Sequence, residues 1–278
     1  MDLSVTTDYA RDTGDPSPCL RRIADAGFTH VHWCHHWNTD FLYSVWEIEQ
    51  IRKWLADYRL RLLDLHASVG PEKDWASPRE YQRLAGVELV RNRLEMTARL
   101  GADVAIMHIP ERPGCEHLRR SLAELEGFAR CLGVRLALEN GSFDAIGQVL
   151  AEHGPDYLGL CYDAGHGNLI AQGLDRLEAH RERLISVHLH DNDGSADQHN
   201  LLFSGTVDWG RLARLVAASA YSKCVSMEVS MRSAGIKDEQ AFLARAFETG
   251  MRFSQMLDEQ RRALHGAHEE ACGITASP

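Results

Sequence analysis

The segment HLHDNDGSADQH, residues 188–199, packs three His, three Asp and one Asn into twelve positions. Side chains of these types coordinate divalent cations. A calcium loop of the EF-hand kind is excluded, because Gly194 falls fourth counted from Asp191 and no Glu closes the loop. Imidazoles beside carboxylates suit zinc, manganese, iron or cobalt better. Taken alone, the segment reads equally well as a polar turn whose Asp and Asn side chains cap nearby backbone. The rest of the chain has to decide.

The same residue types recur at or near the ends of apolar runs. His66 falls in LRLLDLHA, His108 in DVAIMH, Glu139 in VRLALE, and Asp163 in YLGLCYD with His166 just beyond. His188 falls in LISVHLH and Glu228 in KCVSMEV, while Asp197 and His199 lie in the loop after His188. A lone His in such a place is ordinarily a hydrogen-bonded structural residue. Glu139 and Glu228 are different, because a carboxylate after an apolar run is costly to bury without a partner. A cation would be that partner. Six successive runs of this kind point to a metal site. Other groups accompany them. HWCHHWN, residues 32–38, offers His35, His36 and Trp37 either as a substrate wall or as the packing of a loop. His190 lies two residues after His188 and so shares its face of a strand; one of the two suffices as a ligand and the other is free to bond substrate. Trp75 and Lys73 lie in the long loop after the third run, a loop that could act as a flap.

These residues need a frame that brings strand ends together. Eight short apolar runs, beginning with LSV and FTHVHW, alternate with helix-like stretches such as SVWEIEQIRKWLADY and WGRLARLVAASA. Residues 78–100 carry Leu84, Val87, Leu94 and Leu100 among charges, as an amphipathic helix should. Gly27, Gly101 and Gly133 follow helical stretches directly, as C-capping glycines do. Strand and helix in alternation mean parallel pairing with right-handed crossovers. Eight units of about 35 residues predict an α/β fold, a single-domain (β/α)8 TIM barrel. A doubly wound open sheet is the runner-up, but no G-x-G-x-x-G follows the first strand. The barrel is expected over residues 1–260, and the polar stretch 261–278 as a C-terminal tail or short extra helix.

Composition narrows the partners. The net charge of −10, from 40 acidic and 30 basic residues, argues against nucleic acid. Seven Cys, an odd number with no C-x-x-C, argue against a disulfide framework and a zinc ribbon and fit a reducing compartment. MDLSVTTDYARD has no basic and apolar segments of a secretory signal, and no apolar run is long enough to span a membrane. The expectation is a cytoplasmic protein with a small-molecule substrate, with homo-oligomerisation left open.

With these residues in place, the chain resembles the xylose-isomerase-like barrel superfamily, which includes endonuclease IV, sugar isomerases and epimerases, and inosose dehydratases. The resemblance rests on LHAS (65–68), MHIP (107–110), LALEN (136–140), CYDAGH (161–166), VHLHDND (187–193), DQH (197–199), GTVDW (205–209) and SMEVS (226–230), in family order. It implies one divalent ion held by Glu139, Asp163, His188 and Glu228. The five further ligands of a three-zinc cluster like that of endonuclease IV match His66, His108, His166, Asp197 and His199. One ion of manganese, zinc, cobalt or iron is expected, with three as the upper limit. One departure stands out: where the family has Glu in S-L-G-E-G, this chain has Ser204, so no role carries over from that Glu.

The chemistry implied is that of a metal-dependent isomerase or epimerase of a keto-sugar or polyol, phosphorylated or not. Glu139 and Glu228 would move protons and His166 would bond a neighbouring hydroxyl. A 2-keto-polyol dehydratase would use the same enolate. The alternative is a multinuclear zinc hydrolase of a phosphodiester or related bond, which nine ligands favour and the acidic charge disfavours. A sugar-binding barrel without catalysis would leave the carboxylates dispensable.

Overall fold

The computed structural model describes residues 2–37, 41–67 and 73–271, with side chains placed as far as residue 266. Eight strands appear where the apolar runs predict them: β1 (Leu3–Thr6), β2 (His30–Trp33), β3 (Arg61–His66), β4 (Val104–Met107), β5 (Arg135–Glu139), β6 (Leu158–Asp163), β7 (Leu184–His188) and β8 (Val225–Met227). Every pairing between these strands is parallel, in the order β7-β6-β5-β4-β3-β2-β1-β8. The two ends of that order meet just past β7. Leu189 bridges Met227, Leu189 N–H donates to Ser226 O at 3.0 Å, and Glu228 N–H donates to Leu189 O at 3.1 Å. The sheet thereby closes into a (β/α)8 barrel.

The crossovers are α1 (Ser17–Asp25), α2 (Val45–Asp57), α3 (Glu80–Arg99), α4 (Glu116–Leu132), α5 (Phe143–Glu152), α6 (Ala164–Leu169) with α7 (Gly173–His180), and α8 (Trp209–Ala217); α9 (Glu239–Ala271) follows β8. Local chemistry sets their limits. Ser44 caps α2 in a reciprocal box, accepting from Glu47 N–H at 3.3 Å while its own N–H donates to the Glu47 carboxylate at 2.7 Å. Gly133 ends α4 at φ 66°, a left-handed conformation that costs glycine little. On α3, Val87 and Leu94 are buried as expected, but Leu84 is 48% exposed and faces solvent. The helix α9 runs without interruption across residue 260, so the polar composition there marks an exposed helical surface rather than an end of helix. Residues 272–278 of the expected tail lie outside the described residues. Among the described residues, no helix is long and apolar enough to cross a membrane.

The main core fills the space between strands and helices, with Leu3, Val5, Val31, Leu65, Leu136 and Leu160 fully buried. Inside the barrel the composition divides. Val104, Ile106, Ala137 and Cys161 form a small apolar cluster with Ile185. By strand alternation, Ala137 shares a face with Glu139, and Cys161 with Asp163. Polar residues occupy other inward places: Ser4, His32, Asp64, Ser186 and Ser226 are all buried.

Candidate metal centre

Glu139 ends β5 and Asp163 ends β6, and Asn140 locks the two ends together. Its side-chain oxygen accepts from Asp163 N–H at 2.5 Å and its amide donates to Asp163 O at 3.0 Å. The Asp163 carboxylate caps α6, accepting from His166 N–H at 2.7 Å. His188 ends β7, and Glu228 follows β8 by one residue. One donor atom from each of Glu139, Asp163, His188 and Glu228 lies within 4.8 Å of the others. His188 Nδ1 sits between two carboxylates, 3.1 Å from Glu139 Oε1 and 2.8 Å from Glu228 Oε2.

The remaining His and Asp extend this group. Glu139 Oε2 lies 3.0 Å from His66 Nε2 and 3.4 Å from His108 Nε2, and Glu139 Oε1 lies 3.7 Å from His166 Nδ1. Asp197 Oδ2 lies 3.3 Å from His166 Nε2 and 3.2 Å from His199 Nε2. His199 Nδ1 donates to Glu228 O at 2.8 Å. All nine ligand candidates therefore form one contiguous cluster. His190 belongs to it as well. It stacks on His199 with ring centroids 4.0 Å apart, and His190, Asp197 and His199 form a donor group of their own.

The electrostatics are those of a compact set of opposite charges. Burial would raise the Glu139 carboxyl, but the charge and hydrogen bond of His188 and the hydrogen bond of His66 hold it well below the usual range. Glu228 is likewise held low against burial by His188. Burial would lower His188, yet the Cys161 sulfur and the carboxylates of Glu228 and Glu139 lift it well above an ordinary His. Burial opposes charge on His166 too, but Asp197, Asp163 and Glu139 raise it to about 10. His199 is raised against burial to about 9 by Asp197 and Glu228.

A divalent cation fits this donor set. Three buried carboxylates converge, an arrangement that without a cation carries a heavy cost. Asp163 Oδ2 and both nitrogens of His190 are buried without hydrogen-bond partners. His190 Nε2 lies 3.0 Å from Asp163 Oδ1 but lacks the alignment of a hydrogen bond.

The expected substrate wall is placed differently. His35 is buried and its Nε2 lies 2.8 Å from Gly14 O, tying β2 to the first loop. His36 meets the edge of Phe41, and Trp37 packs against Trp46 and Trp54. Trp75 is no flap. Only 3% exposed, it donates its indole N–H to His108 O at 3.2 Å and accepts from Ser121 Oγ at 2.6 Å, so it anchors the backbone of a cluster residue. Residues 68–72 of that stretch lie outside the described residues. Sequence reasoning passed over His32, Asp64 and Asn140. Alternation was the available signal: Asp64 precedes His66 by two, as Ser186 precedes His188 and Ser226 precedes Glu228.

Known proteins share this frame. A protein y4fM of Sinorhizobium fredii, described as uncharacterized, is 30% identical over 87% of this chain and 89% of its own. A D-tagatose 3-epimerase-like protein superposes with a TM-score of 0.76 at 19% identity, covering 94% of this chain and 99% of the other. An L-ribulose 3-epimerase gives a TM-score of 0.76 at 17% identity over 100% of both chains. The IOLI protein, crystallised with a bound zinc atom, gives 0.70 at 14% identity over 94% of this chain and 99% of its own. At these identities the superpositions establish the fold. The model of the xylose isomerase-like TIM barrel matches residues 20–246, and the chain belongs to that family.

Proposed function

We propose that this protein is a divalent-metal-dependent isomerase or epimerase of a keto-sugar or related polyol. The observation that carries the reading is the converging set Glu139, Asp163, His188 and Glu228 at the C-terminal ends of the strands, where barrel enzymes do their chemistry. The D-tagatose 3-epimerase-like protein and the L-ribulose 3-epimerase that share the fold favour a sugar, and the zinc of the IOLI protein favours a metal.

These four residues would hold the ion, which when bound acts as a Lewis acid on negative charge at a carbonyl oxygen. The rest falls to the side chains. Glu139 and Glu228 enter from β5 and from the end of β8, on either side of His188, and both are ionised and able to accept a proton. In an epimerase one carboxylate takes the proton from the carbon beside the carbonyl and the other returns a proton on the opposite face. Glu139 alone would serve an aldose–ketose isomerase. His166, cationic at neutral pH, presents a hydrogen-bond donor to a neighbouring hydroxyl. His188 must lose its Nδ1 proton to serve as a ligand, so ion binding releases protons.

One observation favours a second reading, a multinuclear metallohydrolase of a phosphodiester or related bond. The donor groups His66–Glu139–His188 and His190–Asp197–His199 flank the first. Elemental mass spectrometry on protein purified without chelator or added metal separates the two. Near one ion per chain, with deuterium entering a keto-sugar from heavy water, supports the isomerase. Near three zinc ions, with phosphodiester cleavage and no such exchange, replaces it.

A further inference from the structure

His32 lies inside the barrel one layer beneath the rim. The register sets it opposite Asp64 on β3, and sets Ser186 opposite Cys161 on β6, each two residues below the rim residues His66 and His188. His32 is fully buried and its Nδ1 lies 2.9 Å from Asp64 Oδ1; Asp64 Oδ2 accepts in turn from Ser186 Oγ. A carboxylate oxygen accepts hydrogen bonds, so Nδ1 of His32 is the nitrogen that donates to Asp64. Nε2 is left as the ring's other nitrogen.

His32 Nε2 is buried and has no hydrogen-bond partner. The ring lies against His188, with centroids 4.3 Å apart and planes at 60°. One donor atom each from His32, His188 and Glu228 falls within 4.8 Å of the others. A ring held at one nitrogen by a carboxylate, with the other nitrogen without a partner, is the arrangement of metal-bound histidines, in which the carboxylate fixes tautomer and orientation. Histidine buried only for packing would leave this nitrogen unsatisfied at a cost.

We propose that His32 is a further ligand of the ion, reaching it from the layer beneath the rim, and that Asp64 and Ser186 are its positioning residues. The proposal rests on the metal reading above and adds a second imidazole to the single His of the four-residue set. A neutral donor from below adds no charge and leaves the rim side of the site to substrate oxygens.

The test counts nitrogens. The full chain, its histidines labelled with 15N, is loaded with Mn(II) and examined by pulsed electron paramagnetic resonance. The wild type is expected to show two directly bound imidazole nitrogens and His32→Gln one, with Mn(II) bound about 10- to 100-fold more weakly. A single nitrogen in the wild type, or two retained in folded His32→Gln, overturns the assignment. Should His32→Gln fail to fold, Asp64→Asn decides: both nitrogens kept with affinity down about tenfold supports the proposal, and unchanged affinity overturns it. Wild-type protein that binds no Mn(II), or binding that ignores Glu228→Gln, overturns the metal reading itself and the His32 assignment with it.

Discussion

Glu228 sits 2.8 Å from His188 Nδ1, and its main-chain oxygen is bonded by His199. Its backbone N–H also helps close the barrel, so the backbone is fixed independently of the carboxylate. Glu228→Gln keeps the shape and removes the charge. Turnover should vanish while the circular dichroism spectrum and cooperative melting persist; wild-type turnover in this variant would remove Glu228 from the chemistry. His199 separates the two functional readings. With a one-metal isomerase, His199→Ala should leave turnover nearly unchanged in a steady-state assay, whereas a multinuclear hydrolase should lose activity by orders of magnitude. The same residues set a pH dependence. His166 and His199 are raised to about 10 and about 9 by Asp197, so in metal-free protein their contribution to stability is full below their unfolded value of about 6.5. It is lost as pH rises through 9 to 10. Asp197 is shifted the other way, and its contribution is lost only in acid. Urea melts of chelator-treated protein at pH 6.5 and pH 10 should show the folded state weaker at pH 10. An increase at pH 10 would contradict the charge assignment.

At the scale of elements, short helix α6 shows how backbone choice shapes the cluster. A Cβ built on Gly165 would lie 1.9 Å from His190 Cε1. His190 is fully buried, so it has nowhere to retreat, and Gly165→Ala must push either the ring or the helix. The expected cost is about 1–3 kcal/mol in urea denaturation, with weaker Mn(II) binding. Unchanged stability would mean that His190 repacks freely. Such a contact was invisible in the sequence, where CYDAGH showed only that a carboxylate and a His stood near a strand end. The strands were legible for a different reason. Each is a short apolar run bounded by polar residues, and the position of Glu139, Asp163 and His188 at or near the ends of these runs is what pointed to one rim. Gly101 and Gly133 likewise announced helix ends, and both take positive φ. The loops were less readable. Trp75 looked available because its neighbours were polar, yet Gly86 lets α3 approach its backbone and bury it; a Cβ there would come within 2.3 Å of Trp75 N. His32 went unnoticed because Asp64 meets it from 32 positions away on the neighbouring strand, and Ser186 bonds Asp64 from 122 positions away across the barrel.

For the molecule as a whole, the cluster joins what the chain keeps apart. Glu139, Asp163, His188 and Glu228 come from β5, β6, β7 and the residue after β8, and the seam between β7 and β8 is made by the bridge Leu189–Met227 and its two flanking hydrogen bonds. An ion held by these four residues would therefore tie the seam from inside, next to the junction that the continuous ladder of the described strands does not supply. The ionised carboxylates of Glu139 and Glu228 there repel each other, and protonated His188 offsets them only in part. A ligand bound by the folded state alone stabilises it by about 2.7 kcal/mol at a hundred times its Kd. Removing metal by dialysis against chelator should thus lower the melting temperature, and added Mn(II) or Zn(II) should restore it in proportion to the logarithm of concentration. Hydrogen exchange should locate the loss, with amide protection falling first at Leu189 and Glu228, whose N–H groups make the seam. An unchanged melting curve with unchanged protection at those two amides would show that the carboxylates hold no structural cation, and that the barrel closes without one.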